Sequence, residues 1–388
     1  MKLWIGDETG QLKGVSVEEK KIESRYLTLA RDNEIAFMSF GPGSTDVIRS
    51  ENILCGLKHA GKVNVHSHED GEILKTFTAP PGEMVGMSVL DGDSDDTSKC
   101  RVMIACKESD TKGCVQYINW DDSKVVYERA FEENLGCVRV SNENTNIYAT
   151  GGKDNNLKIY NINKEQAIFK AKNLPNDMTD LQVPVWIRDI SFVPGSDATK
   201  VVAGTGHYEI QYYDTKVKKR PVLHQTVSEH PIMSVAVTSD AKSVVFGTAA
   251  GETKRLSLES GEVLNAYKGA SGSVRCVQVH PALPYVASCG LDRYAKVHHI
   301  ETGRLVAKVY MKTKLNALLF YGEEKREEKG NSEKANKRVR STGDGDNEGS
   351  SADEETDVWD ELEEVVEKDD DDLGKTASPK PKKKAKKN

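Results

Sequence analysis

Short runs in which apolar and polar residues alternate, each closed by a glycine- or aspartate-bearing turn, recur along residues 1–321. Alternation of this kind has the period of a β-strand, whose successive side chains face opposite sides of a sheet. Ile147-Tyr148-Ala149-Thr150-Gly151-Gly152 leads into a turn at Lys153-Asp154-Asn155 and then into a second run, Leu157–Asn161. Val286-Ala287-Ser288-Cys289-Gly290 leads into Leu291-Asp292-Arg293 and then Tyr294–His299. Looser copies begin near Leu3, Ile53, Val102, Val201 and Val244. Aligning the copies puts Gly6, Gly56, Cys106, Gly152, Thr205, Gly247 and Gly290 in one column, roughly 42–53 residues apart, the size of a propeller blade.

One more apolar run precedes six of the copies: Ile35–Phe40, Met84–Leu90, Leu135–Val140, Val185–Val193, Ile232–Val237 and Val274–Val279. A seventh, Leu315–Phe320, follows the last copy, whereas the copy at Leu3 has no room for one. The pattern predicts an all-β, seven-bladed β-propeller over 1–321. Its C-terminal strand supplies the innermost strand of the blade that the N-terminus begins. Closure of this kind leaves no open end in the ring of blades.

These copies resemble degenerate WD repeats. The Trp-Asp dipeptide that ends the third strand of such a repeat is Tyr160-Asn161, Tyr213-Asp214 and His298-His299 here, while the turn residues Asp154 and Asp292 match. Segments 169–193 and 288–316, with Thr356–Glu363 ahead of a lysine-rich end, closely resemble the WD repeat-containing protein 74 and Nop-seven-associated family of ribosome-assembly factors. The resemblance follows the chain in order and length, and is weakest between Gly322 and Asp353, where only polarity matches.

Charge changes the picture of the C-terminal segment. The formal net charge of −7 taken whole argues against nucleic-acid binding, but it hides a strong segregation. Residues 344–372 hold 16 acids and one base, 373–388 hold seven lysines and no acid, and 1–321 are close to neutral. Few apolar side chains and high charge predict disorder for 322–388. Within it, the element near 356–366 places Trp359, Leu362 and Val366 at i, i+3 and i+7, one face of a short helix that docks in a partner's groove. Lys380, Lys382, Lys383, Lys384, Lys386 and Lys387 read as a nuclear-localisation or RNA-binding run.

Catalytic chemistry finds little support. There is no Gly-x-x-x-x-Gly-Lys-Ser/Thr loop to cradle phosphates and no Gly-x-Ser-x-Gly nucleophile elbow. His66-Ser67-His68, followed by Glu69 and Asp70, is the best metal-like cluster, but it falls where a blade strand ends in a turn and reads as a solvated turn. Asp154 and Asp292 read as turn-holding residues that accept backbone N–H bonds. The seven cysteines include no Cys-x-x-Cys pair, and most lie in apolar runs, as buried free thiols do in a reducing compartment. The N-terminus meets acid at once and offers no signal-peptide core, and no run reaches the ~18 apolar residues of a membrane span. The long connection Lys170–Leu181 is the candidate recognition loop; Lys170, Lys172 and Arg188 are its candidate contacts with protein or ribosomal RNA, and Trp186 is expected to pack on a neighbouring blade or cap the channel.

The expectation is a non-enzymatic protein with no cofactor and no metal. The resemblance implies a scaffold in assembly of the large (pre-60S) ribosomal subunit and in rRNA processing, in the nucleus and nucleolus, acting as a monomer within a large particle. It implies pre-60S assembly factors, pre-rRNA and a releasing AAA-type ATPase as partners, and no membrane. The alternative is a WD40 substrate receptor of a ubiquitin ligase or another nuclear interaction platform. Against the receptor, Trp120-Asp121-Asp122-Ser123 and Trp359-Asp360-Glu361-Leu362 both lack the arginine of the usual Trp-Asp-x-Arg element.

Overall fold

The computed structural model describes residues 1–26, 33–42, 52–90, 100–176 and 178–321. The predicted docking element and lysine run, with Trp359 and Lys380 among them, lie outside these residues. The described chain forms 28 strands, β1 (Lys2–Asp7) to β28 (Leu315–Tyr321), in seven four-stranded antiparallel sheets. Among the described residues no helix is long and apolar enough to cross a membrane.

The innermost strand of each blade is one of the runs the pattern singled out: β4 (Ile35–Phe40), β8 (Glu83–Leu90), β12 (Cys137–Val140), β16 (Ile187–Phe192), β20 (Ile232–Val237), β24 (Val274–Val279) and β28. Neighbours in this series pack side by side around a central channel, and β28 packs against β4. The first blade closes as expected. β1 pairs antiparallel with β28, Leu3 opposite Phe320 and Ile5 opposite Leu318, in a sheet of order β28-β1-β2-β3, where β2 is Leu12–Ser16 and β3 is Lys21–Tyr26.

Apolar cores lie between blades. One cluster joins Leu3, Ile5 and Val15 of the first blade to Cys289, Val297 and Val309 of the last. The second strand of a blade is covered on both faces, so β21 (Ser243–Thr248) is buried along its whole length. The outermost strand faces water on one side, and β3 alternates exposed and half-buried. Near-continuous apolar runs and alternating runs in the sequence are thus successive strands of one blade.

The recurrent small residue has a packing cause. Strand pairing sets the column at Gly6, Gly56, Ala105, Gly151, Gly204, Gly247 and Cys289, one residue earlier in four copies than the sequence alignment puts it. A Cβ at Gly6 would stand 2.5 Å from Ile35 Cγ2, at Gly204 2.7 Å from Ile232 Cγ2, and at Gly247 2.5 Å from Val274 Cγ1. Absence of a side chain lets the first residue of the next inner strand press against the blade behind it.

Candidate functional site

The seven inner strands enclose a channel of about 740 Å³. Its mouth is shaped by a repeated irregularity. The register of the inner strand against the second strand slips between Ile35 and Phe37, Met84 and Gly86, Ile187 and Asp189, Ile232 and Ser234, and Val274 and Cys276. A bulge adds one residue to one strand and re-aims its side chain. The added residues Ala36, Val85, Arg188, Met233 and Arg275 all line the channel.

Ion pairs account for part of the charge in the channel wall. Lys58 Nζ lies 3.5 Å from Glu34 Oε1 and 3.6 Å from Glu83 Oε1, and Asn316 Nδ2 donates to Glu34 at 3.0 Å. Arg139 Nη2 lies 2.7 Å from Asp189 Oδ1. Buried Asp189 also accepts from the Ile190 and Val235 amides, each at 2.9 Å, which ties β16 to β20. Ser234 accepts from the Val277 amide at 3.1 Å and repeats the tie between β20 and β24. At the far end, Glu143 accepts from the amides of Gly195 and Asp197.

Arg188 and Arg275 stand outside this pairing. Neither has a carboxylate within ion-pair distance among the described residues. The Arg188 guanidinium lies 5.1 Å from the centre of the Trp186 ring, and its Nη2 is 3.3 Å from Met233 Sδ. Burial, and then the positive charge of Arg275, pull its pKa below the usual arginine range. Trp186 covers Gly206, where a Cβ would come within 2.4 Å of its ring, and meets His207 edge-on at 6.1 Å. These contacts lie within its own fifth blade, between β17 (Lys200–Thr205) and β18 (Glu209–Asp214), and not on the neighbouring blade that was expected.

The structure separates Lys170 and Lys172 from Arg188. Lys170 is exposed in β15 (Phe169–Lys170), the outermost strand of the fourth blade, and the amide of exposed Lys172 donates to Lys219 O at 2.9 Å. Arg188 is on an innermost strand. The loop between is held by Asn173 Nδ2 on Val183 O at 2.7 Å and by Asn176 Nδ2 on Asp180 Oδ1 at 2.9 Å. Sequence reading missed Arg139, Asp189 and Arg275. Their signal was a charge inside an apolar inner run, as in Val138-Arg139-Val140 and Val274-Arg275-Cys276.

The remaining candidates have structural roles. Asp292 accepts from the Tyr294 and Ser271 amides and from Lys296, as a turn-holding residue should. Asp154 departs from that expectation: its backbone takes a left-handed φ of 56° and its amide donates to Val185 O, while among the described residues its carboxylate accepts no backbone amide. His66 is wholly buried with Nδ1 3.2 Å from Gly71 O, so the solvated-turn expectation fails for it, and burial pushes its imidazole pKa down. The ring of His68 tilts against Tyr321 at 5.4 Å. Among the described residues no group of three or more His, Cys, Asp or Glu is placed to hold a metal ion. None of the seven cysteines, all among the described residues, is in a disulfide, and burial pushes the Cys106 thiol up to about 12.

Comparison with known proteins agrees with this architecture. The WD domain, G-beta repeat model matches residues 261–299. WD repeat-containing protein 74 of Bos taurus is 34% identical over 331 residues, covering 82% of this chain and 81% of that protein. Its Homo sapiens counterpart is also 34% identical, over 333 residues with the same coverage. The ribosome biogenesis protein nsa1 of Schizosaccharomyces pombe is 24% identical and covers 83% of this chain and 89% of its own. Among solved structures, the computationally designed Ika8 protein shares the fold with a TM-score of 0.58 at 15% identity, over 83% of this chain and 88% of that one.

Proposed function

This chain belongs to the WD repeat-containing protein 74 family, and from that premise we propose that it is a ribosome biogenesis factor acting as a non-catalytic scaffold in assembly of the large ribosomal subunit. The observation that carries the reading is relationship along 82% of the chain to that family, joined to 24% identity over 83% of the chain with a protein named for ribosome biogenesis. A closed propeller suits the task physically. It is a rigid body with two faces and a rim, and it holds several partners in fixed relation without bond chemistry.

On this reading the protein works in the nucleus and nucleolus as a monomer within the pre-60S particle. It contacts other assembly factors and pre-rRNA, and an AAA-type ATPase releases it. Lys170 and Lys172 on the rim and Arg188 at the channel mouth contribute separate contacts. Trp359, Leu362 and Val366 dock on one partner, and Lys380, Lys382, Lys383, Lys384, Lys386 and Lys387 direct import or touch RNA. Alanine at Trp359 and Leu362, charge reversal at Lys170, Lys172 and Arg188, and removal of 380–388 separate these roles. Co-purification reads the first two and nuclear accumulation the third; an unchanged readout removes the role tested.

Depletion of the protein followed by pulse-labelling of ribosomal RNA tests the whole reading. Mature large-subunit rRNA should fall while small-subunit rRNA continues to form. Equal loss of both, or of neither, contradicts it.

A further inference from the structure

We propose that the bulge-end mouth of the channel, between Arg188 and Arg275, is a binding site for a carboxylate side chain carried on an extended segment of a partner protein. The site has three components on the page. Arg188 and Arg275 are the added residues of equivalent bulges in the fifth and seventh blades, so the backbone aims both into one opening. Both lack a carboxylate partner among the described residues, whereas Lys58 and Arg139 in the same wall are paired. The guanidinium of Arg188 touches both the Trp186 ring and Met233 Sδ, which limits its freedom.

Two guanidinium groups that share one opening repel each other, and a carboxylate seated between them relieves that repulsion. A guanidinium fork fits a carboxylate with parallel N–H···O bonds, and such charge-assisted pairs are short and strong. Pre-set orientation lowers the entropy lost on binding. The channel volume of about 740 Å³ falls in the range of ligand-sized clefts.

The rest of the lining selects between anions. Glu34 and Glu83 stand on the second and third blades and Asp189 on the fifth, and Glu83 and Asp189 lie near enough to act on the charge of Arg188 without pairing with it. A nucleic-acid strand, with a charge at every phosphate, meets these carboxylates wherever it extends beyond the arginines. A peptide carries its negative charge on one side chain and leaves neutral or basic neighbours for the acidic arc. Val85, Met233 and Val277 line the same cavity and accommodate apolar side chains next to the carboxylate. The inference adds a ligand class to the contact that the scaffold reading gives Arg188. Its test uses purified protein alone, so its failure leaves the particle association to be judged separately.

The test is selection of a displayed random peptide library of about twelve residues on the purified full-length protein, its Arg188→Gln variant and its Arg275→Gln variant. Arg275 is exposed, so its variant keeps the test alive if Arg188→Gln disturbs folding. The wild type should enrich Asp or Glu at a fixed position. A selected peptide should bind about tenfold more weakly, by fluorescence anisotropy, to either variant and when its acid is replaced by the amide. A single-stranded RNA of random sequence, run beside it, should bind the wild type and both variants alike. Selection without acidic enrichment, peptide affinity indifferent to both arginines, or RNA affinity that falls with them overturns the proposal.

Discussion

Lys13 Nζ lies 2.7 Å from Asp7 Oδ2, and both side chains are almost wholly withdrawn from solvent. The pair sits where the ring closes. Thr313 donates to Asp7 Oδ2 at 2.6 Å, and Lys13 also donates to Met311 O at 3.1 Å, both partners lying in the segment that leads into β28. The other carboxylate oxygen accepts from the Thr9 and Gln11 amides at 2.9 Å and fixes the turn between β1 and β2. One carboxylate therefore binds the two ends of the propeller to each other.

Removing the cation alone should cost far more than removing the pair. Lys13→Met leaves Asp7 buried and uncompensated, a change that typically costs about 3–5 kcal/mol. Asp7→Asn combined with Lys13→Met should recover most of the loss. Urea unfolding at neutral pH reads both, and equal destabilisation by the single and double variants contradicts the pairing.

Acid should act through the same group. Burial by itself raises the Asp7 pKa, but hydrogen bonds from Lys13, Thr313 and the Gln11 amide outweigh it and hold the carboxyl below its usual range. A folded pKa below the unfolded one gives stability that is present above about pH 3.9 and is lost as pH falls through the folded value. The wild type should lose stability more steeply than Asp7→Asn below about pH 4, as read by urea midpoints across that window. Parallel pH profiles would rule out this contribution.

The small-residue column makes a steric prediction. Gly247→Ala drives a methyl group to 2.5 Å from Val274 Cγ1 and 2.7 Å from Val274 Cβ, both on the next inner strand. Overpacking of this kind costs about 1–3 kcal/mol, so the melting temperature should fall by several degrees. A melting temperature at or above that of the wild type would show that the blades yield without cost.

Closure by β28 sets where the chain can be cut. Ending the protein at Tyr321 should leave cooperative thermal unfolding in place, because the inner strand of the first blade is retained. Ending it at Lys314 removes that strand, leaves β1 with an unpaired edge, and should give aggregation or loss of a sharp transition. Equal behaviour of the two truncations contradicts closure.

Much of the fold was legible because propeller strands carry a period-two pattern and blades repeat it. Counting inner runs against outer copies even placed the closing strand at Leu315–Phe320, within one residue of β28. The channel mouth was less legible. In Ile187-Arg188-Asp189-Ile190, alternation alone does not say which of the two charges faces the channel. The bulge brings both to the channel wall, Arg188 at the opening without a carboxylate partner among the described residues and Asp189 bound to Arg139 and the Val235 amide. Lys13 was hidden for another reason: in Leu12-Lys13-Gly14-Val15 it occupies a polar slot, yet the strand is buried throughout. Only the partner at Asp7 makes that burial tolerable.

The central claim is tested most directly by affinity purification of the full-length protein from nuclear extract after RNA crosslinking, with quantification of the attached ribosomal RNA. The account predicts enrichment of large-subunit precursor RNA over small-subunit precursor, together with large-subunit assembly factors. Recovery of the protein without large-subunit precursors would contradict it.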